Sequence, residues 1–249
     1  MSIPAPRGAC LYQYHIAFFC SPLFRLGFSG SHAHSLSLVL KYKKALEYLP
    51  SSTLTVIMDC DIFVTNSAVA ISDIWHKWAS DSTDLIISRD AHFHIGVPIN
   101  SGLIIAKPSS FVEDVFGSLL TNERLETSVH ASKFNADTLV DQPRLTFELI
   151  KRGQLLETPE YETELNEHVS VVSQRVMNAF YRKPDGFFSG AKKDRPESKW
   201  REGDWVAHVT GMQPKARVEA AKMFGGGCHG IIDRTQGMVL TTDGKKEVG

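Results

Sequence analysis

The sequence predicts an α/β protein built on a mixed, mostly parallel sheet flanked by helices. The apolar runs Leu54-Thr55-Val56-Ile57-Met58 and Leu85-Ile86-Ile87 lack polar alternation, as in strands buried on both faces. Segments between such runs carry apolar residues at helical spacing. Strands alternating with helices in this way imply an α/β sandwich with a mostly parallel sheet.

Taken in order, the opening is the weakest part of the pattern. Met1 to Ser31 shows no convincing first strand followed by a helix, so the sheet is expected to be entered late. Leu11 to Phe24 is apolar, but Gln13, His15 and Arg25 interrupt or flank it. No basic leader or cleavage site accompanies it, so no signal peptide is expected. Leu36 to Leu49 predicts an amphipathic helix, with Leu36, Val39, Leu40, Leu46 and Leu49 on the apolar side. Lys41, Lys43, Lys44 and Glu47 fall elsewhere on it. Pro50 ends that helix and Ser51-Ser52 turns the chain into the first apolar strand.

Ile71 to Ala79, with Trp75 and Trp78, predicts a second helix. Ser110 and Glu113 form a capping box for a third, reaching about Leu120. Asn122 to Asp137 is polar and aperiodic, a surface loop. Asp141-Gln142-Pro143 opens a helix through Ile150, with proline in its favoured early position. Tyr161 to His168 reads as a loop or exposed helical turn, Val169 to Val172 as a short strand, and Phe180 to Arg201 as a loop. Pro214 begins a last helix to about Phe224, ended by Gly225-Gly226-Gly227. Residues 1–224 are thus expected to form one domain, and 225–249 a polar tail that frays.

Bulk composition narrows the function classes. At 249 residues there is ample material for a core. With 27 basic and 28 acidic residues, there is no electrostatic bid for nucleic acid or anionic membrane. Cys10, Cys20, Cys60 and Cys228 have no metal-site spacing and suggest no disulfide framework. No apolar run is long enough for a transmembrane helix.

The chemistry starts where the first apolar strand ends, in Asp59-Cys60-Asp61. Ligands of parallel sheets collect at the carboxyl ends of strands. Two carboxylates held close there need a positive partner, and a divalent metal is the usual one. On an extended backbone Asp59 and Asp61 point to one side and Cys60 to the other. The same pattern fits a strand that merely runs into an Asp-rich turn. An EF-hand loop is excluded, because Val64 replaces the required glycine and Ala70 the closing glutamate.

Further motifs follow in order. A second strand runs from Asp84 through Ser88-Arg89 to Asp90, and Asn100-Ser101-Gly102 leads into a third. Asp141-Gln142 comes next, and Gly203-Asp204-Trp205-Val206-Ala207-His208-Val209-Thr210-Gly211 closes the set. Together, over roughly Leu36 to Phe224, these resemble glycosyltransferase family 34, the galactosyl-, mannosyl- and xylosyltransferases of GT-A fold.

That resemblance implies a GT-A-like (Rossmann-like) catalytic domain and a metal-dependent, retaining transfer of a sugar. The donor would be a nucleotide-diphosphate sugar and the acceptor a glycan or other hydroxyl. Asp59 and Asp61 would hold the metal, with His208 as nitrogen ligand. Mixed carboxylate and imidazole ligation suits Mn²⁺. A histidine in an apolar strand is also often a satisfied core residue. Here Val206 and Thr210 would share the His208 face, while Ala207 and Val209 face the core.

Asp90 and Asn100 would bind donor-sugar hydroxyls, Ser101 lies in the same motif, and Gly102 would let the backbone come close. Asp141 or Gln142 would stabilise the cationic transition state, while the leaving phosphate takes the acceptor proton. Asp141 also fits a helix N-cap, and the two roles are compatible. Gly211 and Lys215, with Arg217, would close on the diphosphate, although an exposed helix face also accounts for the two cations. Gln174-Arg175-Val176-Met177-Asn178 matches the family without an evident role. His92 and His94 have zinc-like spacing but no third ligand, so they are expected to be loop residues.

Enzymes of this resemblance sit in the Golgi lumen behind an N-terminal anchor that this chain does not show. A soluble relative, cytoplasmic or not, or a fragment is expected. With the opening strand unaccounted for, an inactive relative kept as a binding module is the alternative. A haloacid-dehalogenase-type phosphatase, whose Asp-x-Asp also ends a strand, is a third reading, for which no later acid pair is evident.

Overall fold

The computed structural model describes residues 14–19 (backbone only), 41–59, 61–90, 98–120, 141–155, 166–181, 198–209, 219–220 and 222–224. The expectations for residues 122–137, 210–218 and 225–249 lie outside these, with Gly211, Lys215, Arg217, His92, His94 and Cys60. So do most of 161–168 and 180–201.

Five strands form the main sheet, in the order β1-β2-β5-β4-β6. They are β1 (Tyr14–Phe19), β2 (Leu54–Asp59), β4 (Leu85–Arg89), β5 (Ile99–Ala106) and β6 (Val169–Val172). β1 runs parallel to β2 and β6 parallel to β4, while β5 is antiparallel to both of its neighbours. Four strands therefore share one direction and β5 runs against them. The sheet is mixed and mostly parallel in direction.

β1 corrects the reading of the opening. A strand is present at Tyr14–Phe19, in continuous register with β2 from Tyr14↔Leu54 to Phe19↔Asp59. Gln13 and His15 disguised it, because polar residues interrupt the apolar run by which buried strands are recognised.

The both-face burial read from the apolar runs is what the packing shows. Ile57, Leu85, Ile87, Ile104 and Val171 enter one core with Ala45, Leu49, Val115, Phe116, Leu145 and Leu149. Those partners come from α1 (41–48), the Leu49–Ser51 turn, α3 (Ser110–Leu120) and α4 (Gln142–Lys151). Val56, Met58, Ile86, Leu103 and Ile105 alternate to the other face. There they meet Ile74 of α2 (Ile71–Trp78), Met177 of α5 (Gln174–Met177), and Ile62 and Val206. Each fully buried Val, Leu, Ile, Phe or Met among them contributes about 1.5–3 kcal/mol of transfer free energy.

Ile62 and Val206 belong to a second sheet ordered β3-β8-β7. Its strands are β3 (Ile62–Val64), β7 (Ala179–Phe180) and β8 (Val206–His208). β3 and β8 are antiparallel, pairing Ile62 with His208. Val206, expected on the same face as His208, packs in the core, and His208 itself is 4% exposed. The expected capping box at Ser110 also shifts, since the Ser109 hydroxyl accepts from the Val112 amide at 3.2 Å. Among the described residues no helix is long and apolar enough to cross a membrane.

Candidate functional site

β2 and β4 share a direction, so their carboxyl ends, carrying Asp59 and Asp90, lie along one edge of the sheet. The antiparallel β5 between them starts at that edge and delivers Asn100, Ser101 and Gly102 there. The β4–β5 register shifts between Ile87 and Ser88: Ile87 faces Ile104 but Ser88 faces Asn100. Such an irregularity re-aims side chains beside a site.

The α4 start adds Asp141 at its N-cap position and Gln142 at its first turn. Asp141 makes no side-chain cap bond. Its Oδ2 accepts instead from the Ser101 hydroxyl at 2.8 Å and lies 2.5 Å from Lys41 Nζ. The cap reading of Asp141 thus holds for its place on the helix and not for its carboxylate.

Lys41 is the group that the sequence reading missed, having set it off the apolar side of its helix. It is 1% exposed. Its ammonium bonds Asp59 Oδ1 at 3.1 Å and the Ser101 carbonyl at 3.0 Å, besides meeting Asp141. Spacing carried the signal: Lys41, Ala45 and Leu49 follow at i, i+4 and i+8, and all three are buried. Burial works against the ammonium, but the carboxylates of Asp141 and Asp59 outweigh it and hold the Lys41 pKa well above the ordinary lysine value. Burial pushes Asp141 up, but the Lys41 ammonium together with the Ser101 and Gln142 hydrogen bonds outweighs it and keeps its carboxyl below the usual range. Asp59 goes the other way: burial raises it, and Lys41 only partly offsets that.

The small sheet supplies the remaining side. Because β3 begins directly after Asp61, the Ile62↔His208 pairing sets Asp61 beside the histidine. The Val209 amide donates to the Asp61 carbonyl at 2.9 Å, and His208 Nε2 lies 3.3 Å from Asp61 Oδ1. His208 Nδ1 sits 2.5 Å from Asn178 Oδ1. Asn178, buried at the end of α5, donates to Asn100 Oδ1, which also accepts from the Gly102 amide at 2.9 Å. Asn100 Nδ2 donates to Asp90 Oδ2 at 3.2 Å, and Gln142 Nε2 reaches the same oxygen at 2.7 Å. Gly102 has no room for a side chain, since an added Cβ would lie 2.9 Å from both Asn100 Oδ1 and His208 Cε1.

Nine expected site residues are thereby brought to one edge: Asp59, Asp61, Asp90, Asn100, Ser101, Gly102, Asp141, Gln142 and His208. The structure adds Lys41 and Asn178. The three residues expected to hold a metal are not drawn into one cluster, for Asp61 meets His208 whereas Asp59 turns to Lys41. Among the described residues no group of three His, Cys, Asp or Glu side chains is close enough to hold an ion. Asp204 has a fastening role, held by the Arg175 guanidinium at 2.9 and 3.0 Å and by the Arg201 amide at 2.8 Å.

No protein-family profile matches the chain, and no curated protein does. Two solved structures similar to it are glycosyltransferases. One is a glycosyltransferase involved in the glycosylation of the major capsid of PBCV-1, 16% identical over 78% of this chain and 78% of that one, with a TM-score of 0.43. The other is the apo form of mouse xyloside xylosyltransferase 1, 12% identical over 70% of this chain and 64% of that one, with a TM-score of 0.46. Neither likeness assigns an activity.

Proposed function

We propose that the chain is a metal-dependent glycosyltransferase that moves a sugar from a nucleotide-diphosphate donor to a hydroxyl acceptor, with retention. The observation that carries the proposal is the connected set of side chains at the sheet edge. Residues from Lys41 to His208, far apart in sequence, meet in one hydrogen-bonded chain. Asp59, Asp90 and Asp141 are bonded within it, Asp61 adjoins it at His208, and Lys41 is the lysine it holds among the described residues.

Of the expected metal ligands, the Asp61–His208 pair is the part that a divalent cation would fit. Where Nδ1 carries the proton, His208 Nε2 turns a lone pair toward Asp61 Oδ1 at 3.3 Å, and two acceptors so close favour a cation between them. Asp61 and His208 would hold it, with Asp59 alongside, and the imidazole favours Mn²⁺. Such an ion, when bound, stabilises negative charge on a leaving diphosphate.

The chain's own groups would do the rest. Asp90, Asn100 and Gln142 present amide and carboxylate groups for sugar hydroxyls. Asp141, kept ionised by Lys41, suits electrostatic support of a cationic sugar and not proton donation. The proton of the attacking hydroxyl would pass to the leaving phosphate.

Calorimetric titration of UDP and of GDP, with and without Mn²⁺, tests the reading. Mn²⁺-dependent binding of one nucleotide, lost in Asp61→Ala, is the expected result. A folded protein that binds neither nucleotide would overturn it and leave the inactive binding module.

A further inference from the structure

We infer that Asn178 is a positioning residue that fixes the proton of His208 on Nδ1 and so turns the Nε2 lone pair toward Asp61. The inference rests on the metal-dependent reading above and deepens it, assigning a role to a residue for which the sequence offered none.

The direction of each hydrogen bond follows from groups that have no choice. The Gly102 backbone amide can only donate, and it points at Asn100 Oδ1 from 2.9 Å. The carboxylate of Asp90 accepts, and it faces Asn100 Nδ2 at 3.2 Å. These two contacts at opposite ends of one amide fix which atom is oxygen and which nitrogen. Asn100 Oδ1 therefore accepts from its next neighbour, and Asn178 must present its own Nδ2 there. That leaves Asn178 Oδ1 facing His208 Nδ1 at 2.5 Å. An amide oxygen is solely an acceptor, so Nδ1 must carry the hydrogen. In the neutral ring the lone pair then falls on Nε2, the atom 3.3 Å from Asp61 Oδ1.

Burial makes the relay unforgiving. Asn178 is 0% exposed and His208 4%, so water cannot substitute at Nδ1 at little cost. The ring of Phe180 packs edge-on against the imidazole with centroids 5.5 Å apart, restraining its rotation. Gly102 closes the other side, where a Cβ would strike both Asn100 Oδ1 and His208 Cε1. Outer partners of this kind orient a ligating histidine, and their loss costs on the order of 10–100-fold in metal affinity.

The test is nitrogen-15 NMR of the His208 imidazole in the metal-free full chain, paired with Mn²⁺ titration by calorimetry, on wild type, Asn178→Leu and Asn178→Asp. The wild-type ring is expected to carry its proton on Nδ1. In Asn178→Leu the two tautomers should mix, and Mn²⁺ binding should weaken on the order of 10–100-fold. In Asn178→Asp, which keeps an acceptor at Nδ1, both should return toward wild type. A wild-type proton on Nε2 would overturn the inference, as would a folded Asn178→Leu with unchanged tautomer and affinity. The wild-type spectrum decides the tautomer even where the leucine variant fails to fold. Absence of Mn²⁺ binding with the proton on Nδ1 would sink the metal reading and leave the relay standing.

Discussion

The Nζ of Lys41 lies 2.5 Å from Oδ2 of Asp141, joining the first described turn of α1 to the N-terminus of α4 beneath the carboxyl end of β2. Asp59, at the tip of β2, shares the same ammonium at 3.1 Å. One buried cation thus separates two part-buried carboxylates drawn from different elements.

Removing that cation is expected to be costly. Lys41→Met leaves Asp59 and Asp141 uncompensated, and breaking a buried pair in this way costs about 3–5 kcal/mol. Urea denaturation should show the loss as a lower midpoint. Lys41→Met combined with Asp141→Asn should recover part of it, giving a coupling energy in a double-mutant cycle.

The pair also fixes a pH dependence. The Asp141 pKa is lower in the folded chain, so its contribution is present above the unfolded carboxyl value of about 3.9 and is lost as pH falls through the folded one. Asp59 is raised and opposes this, being relieved on protonation. Thermal unfolding followed from neutral to acid pH should therefore show less acid-side decline in Asp141→Asn than in wild type. An unchanged decline would refute the assignment.

Gly102→Ala tests the crowding at the start of β5. The added methyl meets His208 Cε1 and Asn100 Oδ1 at 2.9 Å. Overpacking of this kind costs about 1–3 kcal/mol. Because the displaced atoms belong to the site, Mn²⁺ binding should fall more than stability alone implies. Calorimetry beside a denaturation curve separates the two.

Asp204→Ala removes the acceptor of the Arg175 guanidinium and of the Arg201 amide. The turn at Gly203, whose φ is +92°, then keeps the Asn66 side-chain amide on the Gly203 carbonyl but loses the carboxylate that fastens it to Arg175 and Arg201. A lower melting temperature is expected, with nucleotide binding retained below it. Loss of binding in the folded variant would move Asp204 from fastening into the site.

Much of the fold could be read from the sequence, because strands buried on both faces leave an unbroken apolar run. Leu54 to Met58 shows this plainly. Tyr14 to Phe19 was not legible, since His15 breaks its run and only pairing with β2 reveals the strand. At the site, the acids and the Asn-x-Gly were legible as polar groups at strand ends. Lys41 was not, because a buried lysine looks like a solvated one until its carboxylates are known. Asn178 was hidden for a different reason. Its role lies wholly in the directions of hydrogen bonds to residues distant in sequence, and no local spacing encodes those.

The pairing of Ile62 with His208 has a kinetic consequence. Contacts between positions so far apart close late, after the loop between them has been ordered. During synthesis β1, β2, β4 and β5 can associate while β8 is still unmade, since domains form from the amino end as the chain emerges. Asp61 meets its histidine only once β8 has docked. The nascent protein therefore carries Asp61 without the partner that completes it until His208 has emerged, and the edge cannot be finished before then.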